Sequence, residues 1–256
     1  EYPNGVEALR NINMEVYEGE FVAIVGQNGS GKTTLAKHFN GLHKPTKGVV
    51  EIEGEKTDPQ TVAELARTVG YTFQNPDHQL FEQTVKKEIE FGLKNIGLPE
   101  KEIDSRIKYG LSAVGLDIDH DQYPYFLGKG ERQKLALASV IAMQPKILMI
   151  DEPTTGQDWE SALDVMETLR DLNKKGHTVI FISHDMRLVA EYAQRVIVLS
   201  KGRLIEEGSP RSVLYKEGIL EEAFLQPPPI VELAKRLSPK AASLGIIRVE
   251  ELVDCI

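Results

Sequence analysis

The 256-residue chain predicts an α/β fold with a mostly parallel central sheet and an antiparallel edge, and three observations predict it. A short apolar run, Phe21-Val22-Ala23-Ile24-Val25, is bounded by Gly19 and Gly26 and followed by Leu35, Phe39 and Leu42 at helical spacing. The second half alternates. Ile147 to Ile150 reads as a strand, Ala162, Val165, Met166, Leu169 and Leu172 as one helix face, and Thr178 to Ile182 as the next strand. Finally, Val196 to Leu199, a Lys201-Gly202 turn and Leu204-Ile205 form the pattern of a hairpin at a sheet edge.

Between these landmarks, Val49 to Ile52 and Val69 to Phe73 read as strands separated by polar sequence around Asp58-Pro59. From Glu82 to about Val114 the period becomes helical, with a break at Gly97-Leu98-Pro99, and a further helix runs from Arg132 to Ala142. Ser209-Pro210 has the form of a helix start, Ser as N-cap and Pro in first position. After Leu225 the triplet Pro227-Pro228-Pro229 is a stiff break, and the amphipathic stretch through Leu233 and Leu237 reads as an appendage.

Composition narrows the function classes. Hydrophobic residues at 41% and charged residues at 27% are those of an ordinary globular domain, neither a disordered chain nor a coiled-coil rod. The one cysteine, Cys255, has no partner for a disulfide or a cysteine metal cluster, which suits a reducing compartment. No run approaches the roughly 20 apolar residues of a spanning helix, so a membrane role is expected to be peripheral. The net charge of -9 repels polyanions, so nucleic acid is not the expected ligand. The chain opens on Glu1, and its N-terminus is read as truncated.

Gly26-Gln27-Asn28-Gly29-Ser30-Gly31-Lys32-Thr33 matches the phosphate-binding P-loop at every defined position, after a predicted strand and opening a predicted helix. Glycines let the backbone wrap so that N–H groups point at phosphate oxygens, and the helix N-terminus adds favourable partial charge. ATP is therefore expected on Gln27, Asn28, Gly29, Ser30, Gly31, Lys32, Thr33 and Thr34, with Lys32 neutralising the β- and γ-phosphates. The Thr33 hydroxyl is expected to ligate Mg²⁺, which takes few protein ligands. Taken without its context, the same pattern is also read as a glycine-rich turn that binds nothing.

Ile147-Leu148-Met149-Ile150 delivers two carboxylates, Asp151 and Glu152, at the strand end where open α/β sheets bind ligands. Strand alternation turns them apart, so Asp151 faces the magnesium shell while Glu152 reaches the water that attacks the γ-phosphate. His184 and Gln74 each follow a predicted strand. His184 is placed to contact the γ-phosphate, and Gln74 to ligate magnesium or the attacking water. Alone, such a histidine is more often structural and an Asp-Glu pair is often a solvated helix start; their joint occurrence with the P-loop carries the inference.

From Tyr2 to about Gly208 these motifs resemble the ABC transporter ATPase family. The resemblance implies Gln74 as the Q-loop, Leu127 to Gln133 as the signature, Gly156-Gln157-Asp158 as the D-loop, His184 as the switch histidine and Tyr2 as the aromatic that stacks on adenine. It also implies an ATPase domain over residues 1–218, with a helical subdomain inserted at about 75–145, and a helical tail over 219–256. Gln74-Asn75-Pro76-Asp77-His78-Gln79-Leu80-Phe81, with Thr84-Val85 and Phe91-Gly92, is similar to the ATPases of energy-coupling-factor importers of vitamins and transition metals, where the tail helps pair two ATPase subunits. Implied partners are a second ATPase subunit, head to tail, and an integral membrane subunit at the cytoplasmic face of the membrane.

One motif departs from the family pattern. The usual Leu-Ser-Gly-Gly-Gln is replaced by Leu127-Gly128-Lys129-Gly130-Glu131. In the family this motif closes on the nucleotide held by the partner, which implies contacts from Gly128, Lys129, Gly130 and Glu131. Loss of one charge-assisted hydrogen bond costs about 1.5–3 kcal/mol, unless Lys129 compensates. Rival readings are a non-transport ABC-type ATPase, a P-loop phosphotransferase, and a nucleotide-gated module with low hydrolysis. The DNA-repair type is disfavoured because Thr34 to Tyr125 holds no sustained heptads.

Overall fold

The computed structural model describes residues 1–154, 157–237 and 243–253. Gly156 of the implied D-loop and Cys255 lie outside the described residues. In chain order the elements are β1 Phe21–Val25, α1 Lys32–Phe39, β2 Glu51–Ile52, β3 Glu55–Lys56, α2 Val62–Leu65, β4 Val69–Thr72, α3 Val85–Asn95, α4 Glu100–Ala113, α5 Lys129–Ala142, β5 Ile147–Asp151, α6 Trp159–Lys174, β6 Thr178–Ile182, α7 Met186–Tyr192, β7 Arg195–Ser200, β8 Arg203–Gly208, α8 Pro210–Tyr215, α9 Ile219–Glu222 and α10 Pro229–Leu237, followed by a short helix Val249–Val253. The α/β class is as expected. The strand predicted over Val49 to Ile52 is reduced to Glu51–Ile52, paired antiparallel with β3. The chain divides into two compact units, residues 1–35 with 180–256, and residues 36–179.

In the first unit β1 is buried at all five positions and pairs in parallel with β7, Val22 opposite Arg195 and Val25 opposite Val198. Burial on both faces is why β1 reads as an unbroken apolar run rather than an alternating one. β7 pairs antiparallel with β8. Their turn residues Lys201 and Gly202 both have positive φ, 48° and 77°, the two-residue geometry whose twist matches that of the flanking strands. Phe21 meets Phe181 edge to face at 5.4 Å, closing the core around β1.

The tail read as an appendage is fastened to this unit. Pro229, the last of the proline triplet, is the first residue of α10, where its missing N–H costs nothing. Ala234, Ile246 and Leu252 form a small buried cluster with Ile230 packed against it. Arg211 of α8 donates to the carbonyl of Leu244 at 2.8 Å and pairs with Glu251 at 2.6 Å, while the Tyr215 hydroxyl donates to the Ile246 carbonyl at 2.8 Å. Ser209 caps α8 as predicted, its hydroxyl accepting from the Ser212 N–H at 3.2 Å.

In the second unit β4 and β5 are parallel, with Val69 opposite Ile147 and Thr72 opposite Ile150, and the Thr178 N–H bonds the Lys146 carbonyl at 2.9 Å where β6 begins. The predicted helical stretch is two helices. At its break Gly97 takes φ 75°, and the N–H groups of Gly97 and Leu98 bond the carbonyls of Lys94 and Leu93, a glycine-terminated helix end. Helix α5 buries every side chain from Leu135 to Ala142. Gly110 of α4 permits close packing, since a Cβ there would lie 2.6 Å from the Ala138 carbonyl oxygen.

Glu88 of α3 is buried, 4% exposed, and one oxygen of its carboxylate accepts the N–H groups of Phe81 at 2.9 Å and Glu82 at 2.7 Å. Burial pushes its carboxyl up from the ordinary value despite those two donors. A carboxyl raised on folding contributes stability that is present at low pH and lost as pH rises through its folded pKa. Glu88→Gln keeps an acceptor oxygen and removes the titration. Wild type is therefore expected to lose stability relative to Glu88→Gln as pH rises above the ordinary carboxylate range, read by thermal melts of both proteins.

Candidate functional site

The P-loop belongs to the first unit, and its glycines are required by what surrounds them. Gly26, at φ 150°, would place a Cβ 2.2 Å from the Leu199 carbonyl oxygen and 2.7 Å from Ser30 Oγ. Gly31, at φ 106°, would place one 2.9 Å from the Ala8 carbonyl oxygen. Gly29, at φ 81°, meets nothing within 4 Å, so its constraint is the left-handed backbone itself. The three bend the chain so that the Leu35 N–H bonds the Gly31 carbonyl and α1 begins at Lys32.

Lys32 is 6% exposed, and its Nζ donates to the carbonyls of Gly26 at 2.7 Å and Gln27 at 3.0 Å. The ammonium is thus folded back over its own loop. Ser30 is fully buried, and its Oγ has no hydrogen-bond partner among the described residues. Gln27 is half-buried, while Asn28, Gly29 and Thr33 are exposed. Tyr2 Oη lies 2.9 Å from Thr34 Oγ1, which ties the predicted adenine-stacking ring to the first turn of α1. A positive-φ loop, a buried ammonium, a donor hydroxyl without a partner and a helix N-terminus together fit a phosphate chain.

His184 follows β6 and is exposed. The preceding Ser183 N–H bonds the Ile24 carbonyl at 3.3 Å, so this histidine leaves the sheet at the same edge from which the P-loop springs. Asp185 then caps α7 through the Arg187 N–H at 2.9 Å.

The second unit holds the carboxylates. Asp151 is 2% exposed at the end of β5, and Tyr71 of β4 donates its hydroxyl to Asp151 Oδ2 at 3.0 Å. Burial, then the Asp151 charge, pushes the Tyr71 phenol well above the ordinary tyrosine range, which keeps it a donor. Glu152 is 7% exposed with φ 50°, a backbone conformation that costs a non-glycine residue about 1–3 kcal/mol and that clusters at functional sites. Gln74 is exposed, two residues beyond the end of β4. In the implied D-loop, Asp158 caps α6 through the Ser161 N–H at 2.8 Å.

The departing signature opens α5. Leu127 is buried and Gly128 is the N-cap. The Glu131 carboxylate accepts the Gly128 N–H at 2.8 Å, so it serves as a local cap where the usual serine is absent. Arg132 pairs with Asp77 at 2.8 Å and donates to the Leu127 carbonyl at 2.7 Å. Gln79 donates to the Ala136 carbonyl at 2.8 Å and to Ser139 Oγ at 3.1 Å. The segment after Gln74 is thereby bolted to the signature helix. Sequence reasoning missed Tyr71, Asp77–Arg132 and Gln79 as a set; the signal for Tyr71 was an aromatic hydroxyl in a short buried strand, which needs a partner.

Among the described residues no three histidine, cysteine or acidic side chains gather as a metal cluster. Asp151 is a hard oxygen donor of the kind magnesium takes, an ion that binds through one or two carboxylates and keeps water and phosphate oxygens for the rest of its shell.

A glycine-shaped phosphate cradle opening a helix in an α/β fold defines a P-loop nucleotide-binding protein. The ABC transporter family model matches residues 9–155, more than half of the chain, and the chain belongs to that family. It is 47% identical over 99% of its length to a putative ABC transporter ATP-binding protein of Caldanaerobacter subterraneus subsp. tengcongensis, and spans only 44% of that protein. It is 42% identical over 93% of its length to the energy-coupling factor transporter ATP-binding protein EcfA of Methanocaldococcus jannaschii, spanning 86% of it. The fold matches CbiO1 of Clostridium perfringens, part of the ABC transporter complex CbiONQ, with TM-score 0.78 and 34% identity over 96% of this chain and 95% of that one.

Proposed function

We propose that this chain binds and hydrolyses ATP to power solute import by a membrane transporter of the energy-coupling-factor type. The observation that carries the reading is the cradle between Gly26 and Thr33 with the buried Lys32 ammonium folded over it. Within this proposal Lys32 exchanges its loop carbonyls for β- and γ-phosphate oxygens, and Tyr2 stacks on the adenine. Thr33, Gln74 and Asp151 hold Mg²⁺, which when bound neutralises phosphate charge and fixes the leaving group. Glu152 orients the attacking water and accepts its proton, and His184 donates a hydrogen bond to the charge that develops on the γ-phosphate.

Two partners are proposed. A second ATPase domain, identical or different, would receive the α5 N-terminus on its own nucleotide through Gly128, Lys129 and Gly130. An integral membrane subunit would meet the segment from Asn75 to Phe81 at the cytoplasmic face, a role supported by the exposed pair Phe81 and Phe91, packed edge to face at 4.8 Å. No helix among the described residues is long and apolar enough to cross a membrane. A second reading, a nucleotide-gated module of low turnover, is favoured by one observation: Glu131 already occupies the Gly128 N–H.

Purifying the full-length protein from membranes and measuring ATP turnover with and without the proteins that accompany it tests the proposal. A multi-span protein that co-purifies and raises turnover is the expected result. Binding without turnover in that complex would select the second reading, and absence of Mg²⁺-dependent ATP binding would remove both.

A further inference from the structure

The Tyr71 hydroxyl and the Asp151 carboxylate are brought together by register alone. Tyr71 lies opposite Met149 in the parallel β4–β5 pair, and Asp151 is two residues beyond Met149, so the two side chains share one face of the sheet as diagonal neighbours. Aromatic side chains reach that far across a strand pair. The phenol arrives at Asp151 Oδ2 at 3.0 Å, and it is held from its own side by Phe73, whose ring stands at 89° to it with centroids 5.1 Å apart. Phe73 follows directly after β4, so the tyrosine is packed by a neighbour that takes no part in the chemistry. The carboxylate it touches is 2% exposed, where reorientation by water is unavailable.

We infer that Tyr71 is a positioning residue for magnesium, its hydroxyl fixing the rotation of the Asp151 carboxylate so that this side chain presents a preset oxygen to the metal of a bound MgATP. The inference rests on the proposed assignment of Asp151 to the magnesium shell and adds the residue that aims it. A carboxylate ligand is ordinarily oriented by a second group hydrogen-bonded to it, and removal of such a partner weakens metal affinity about 10- to 100-fold. In this chain the donor is a rigid side chain with two torsions, so the ordering is completed on folding, before the metal arrives.

Binding of a fluorescent ATP analogue to the whole chain, titrated with Mg²⁺ against a metal-free baseline in chelator, tests this without requiring turnover. Tyr71→Phe, which removes one oxygen and keeps the ring, is expected to raise half-saturating Mg²⁺ about tenfold while metal-free nucleotide affinity stays within about twofold. The double variant Tyr71→Phe with Asp151→Asn is expected to bind metal no more weakly than Asp151→Asn alone, because Tyr71 acts only through that carboxylate. Should Tyr71→Phe be too unstable to measure, Tyr71→Met makes the same deletion with an adaptable side chain, and the same shift is expected. An unchanged Mg²⁺ half-saturation, or an equal loss of metal-free affinity, would overturn the inference while leaving the nucleotide site standing. A wild-type protein whose ATP affinity ignores Mg²⁺ would instead remove the reading on which it rests.

Discussion

Glu152→Gln is expected to bind MgATP as tightly as wild type and to hydrolyse it at least a hundredfold more slowly. The amide keeps the size and the acceptor oxygen of the carboxylate but cannot take a proton from water, and general-base assistance is worth about 10²–10⁴ in rate. Glu152 is buried with a left-handed backbone. Single-turnover hydrolysis alongside equilibrium binding separates the two quantities. A Glu152→Gln protein turning over at the wild-type rate would take this residue out of the reaction.

The second large effect belongs to Lys32. Lys32→Ala is expected to weaken ATP binding by about 10²–10⁴-fold, since two charge-assisted contacts at about 1.5–3 kcal/mol each are lost. The same ammonium bridges the Gly26 and Gln27 carbonyls, so a thermal melt must accompany the titration to show that the loop still folds. Undiminished affinity in a folded Lys32→Ala protein would mean that the phosphates lie elsewhere.

Much of this was legible because the informative residues act over short sequence distances. Strand β1 is an apolar run between glycines, the P-loop is eight consecutive residues, and Ser209-Pro210 caps its own helix. What escaped is what depends on register or on distant partners. Nothing in the spacing of Tyr71 and Asp151 announces a bond between residues eighty apart; it follows from how β4 and β5 align. The capping box at Thr61 and Glu64 was readable in principle, yet α2 is a single turn whose apolar pattern is too short to show a period. The tail read as an appendage because its anchors, Arg211 and Tyr215, lie about thirty residues upstream. Glu131 shows the same limit within a motif: its carboxylate goes to the Gly128 amide, a local use that the residue type alone did not declare.

The turn at Lys201-Gly202 bears on the P-loop in a further way. The Gly202 N–H bonds the Ser30 carbonyl at 3.0 Å, its own carbonyl accepts from Arg10, and a Cβ on Gly202 would meet the Ala8 carbonyl oxygen at 2.5 Å. Three stretches that lie far apart along the polypeptide thus interlock like the stones of an arch. The eight-residue motif is consequently not a portable module: transplanted into another scaffold without that masonry, it would keep its letters and lose its curvature.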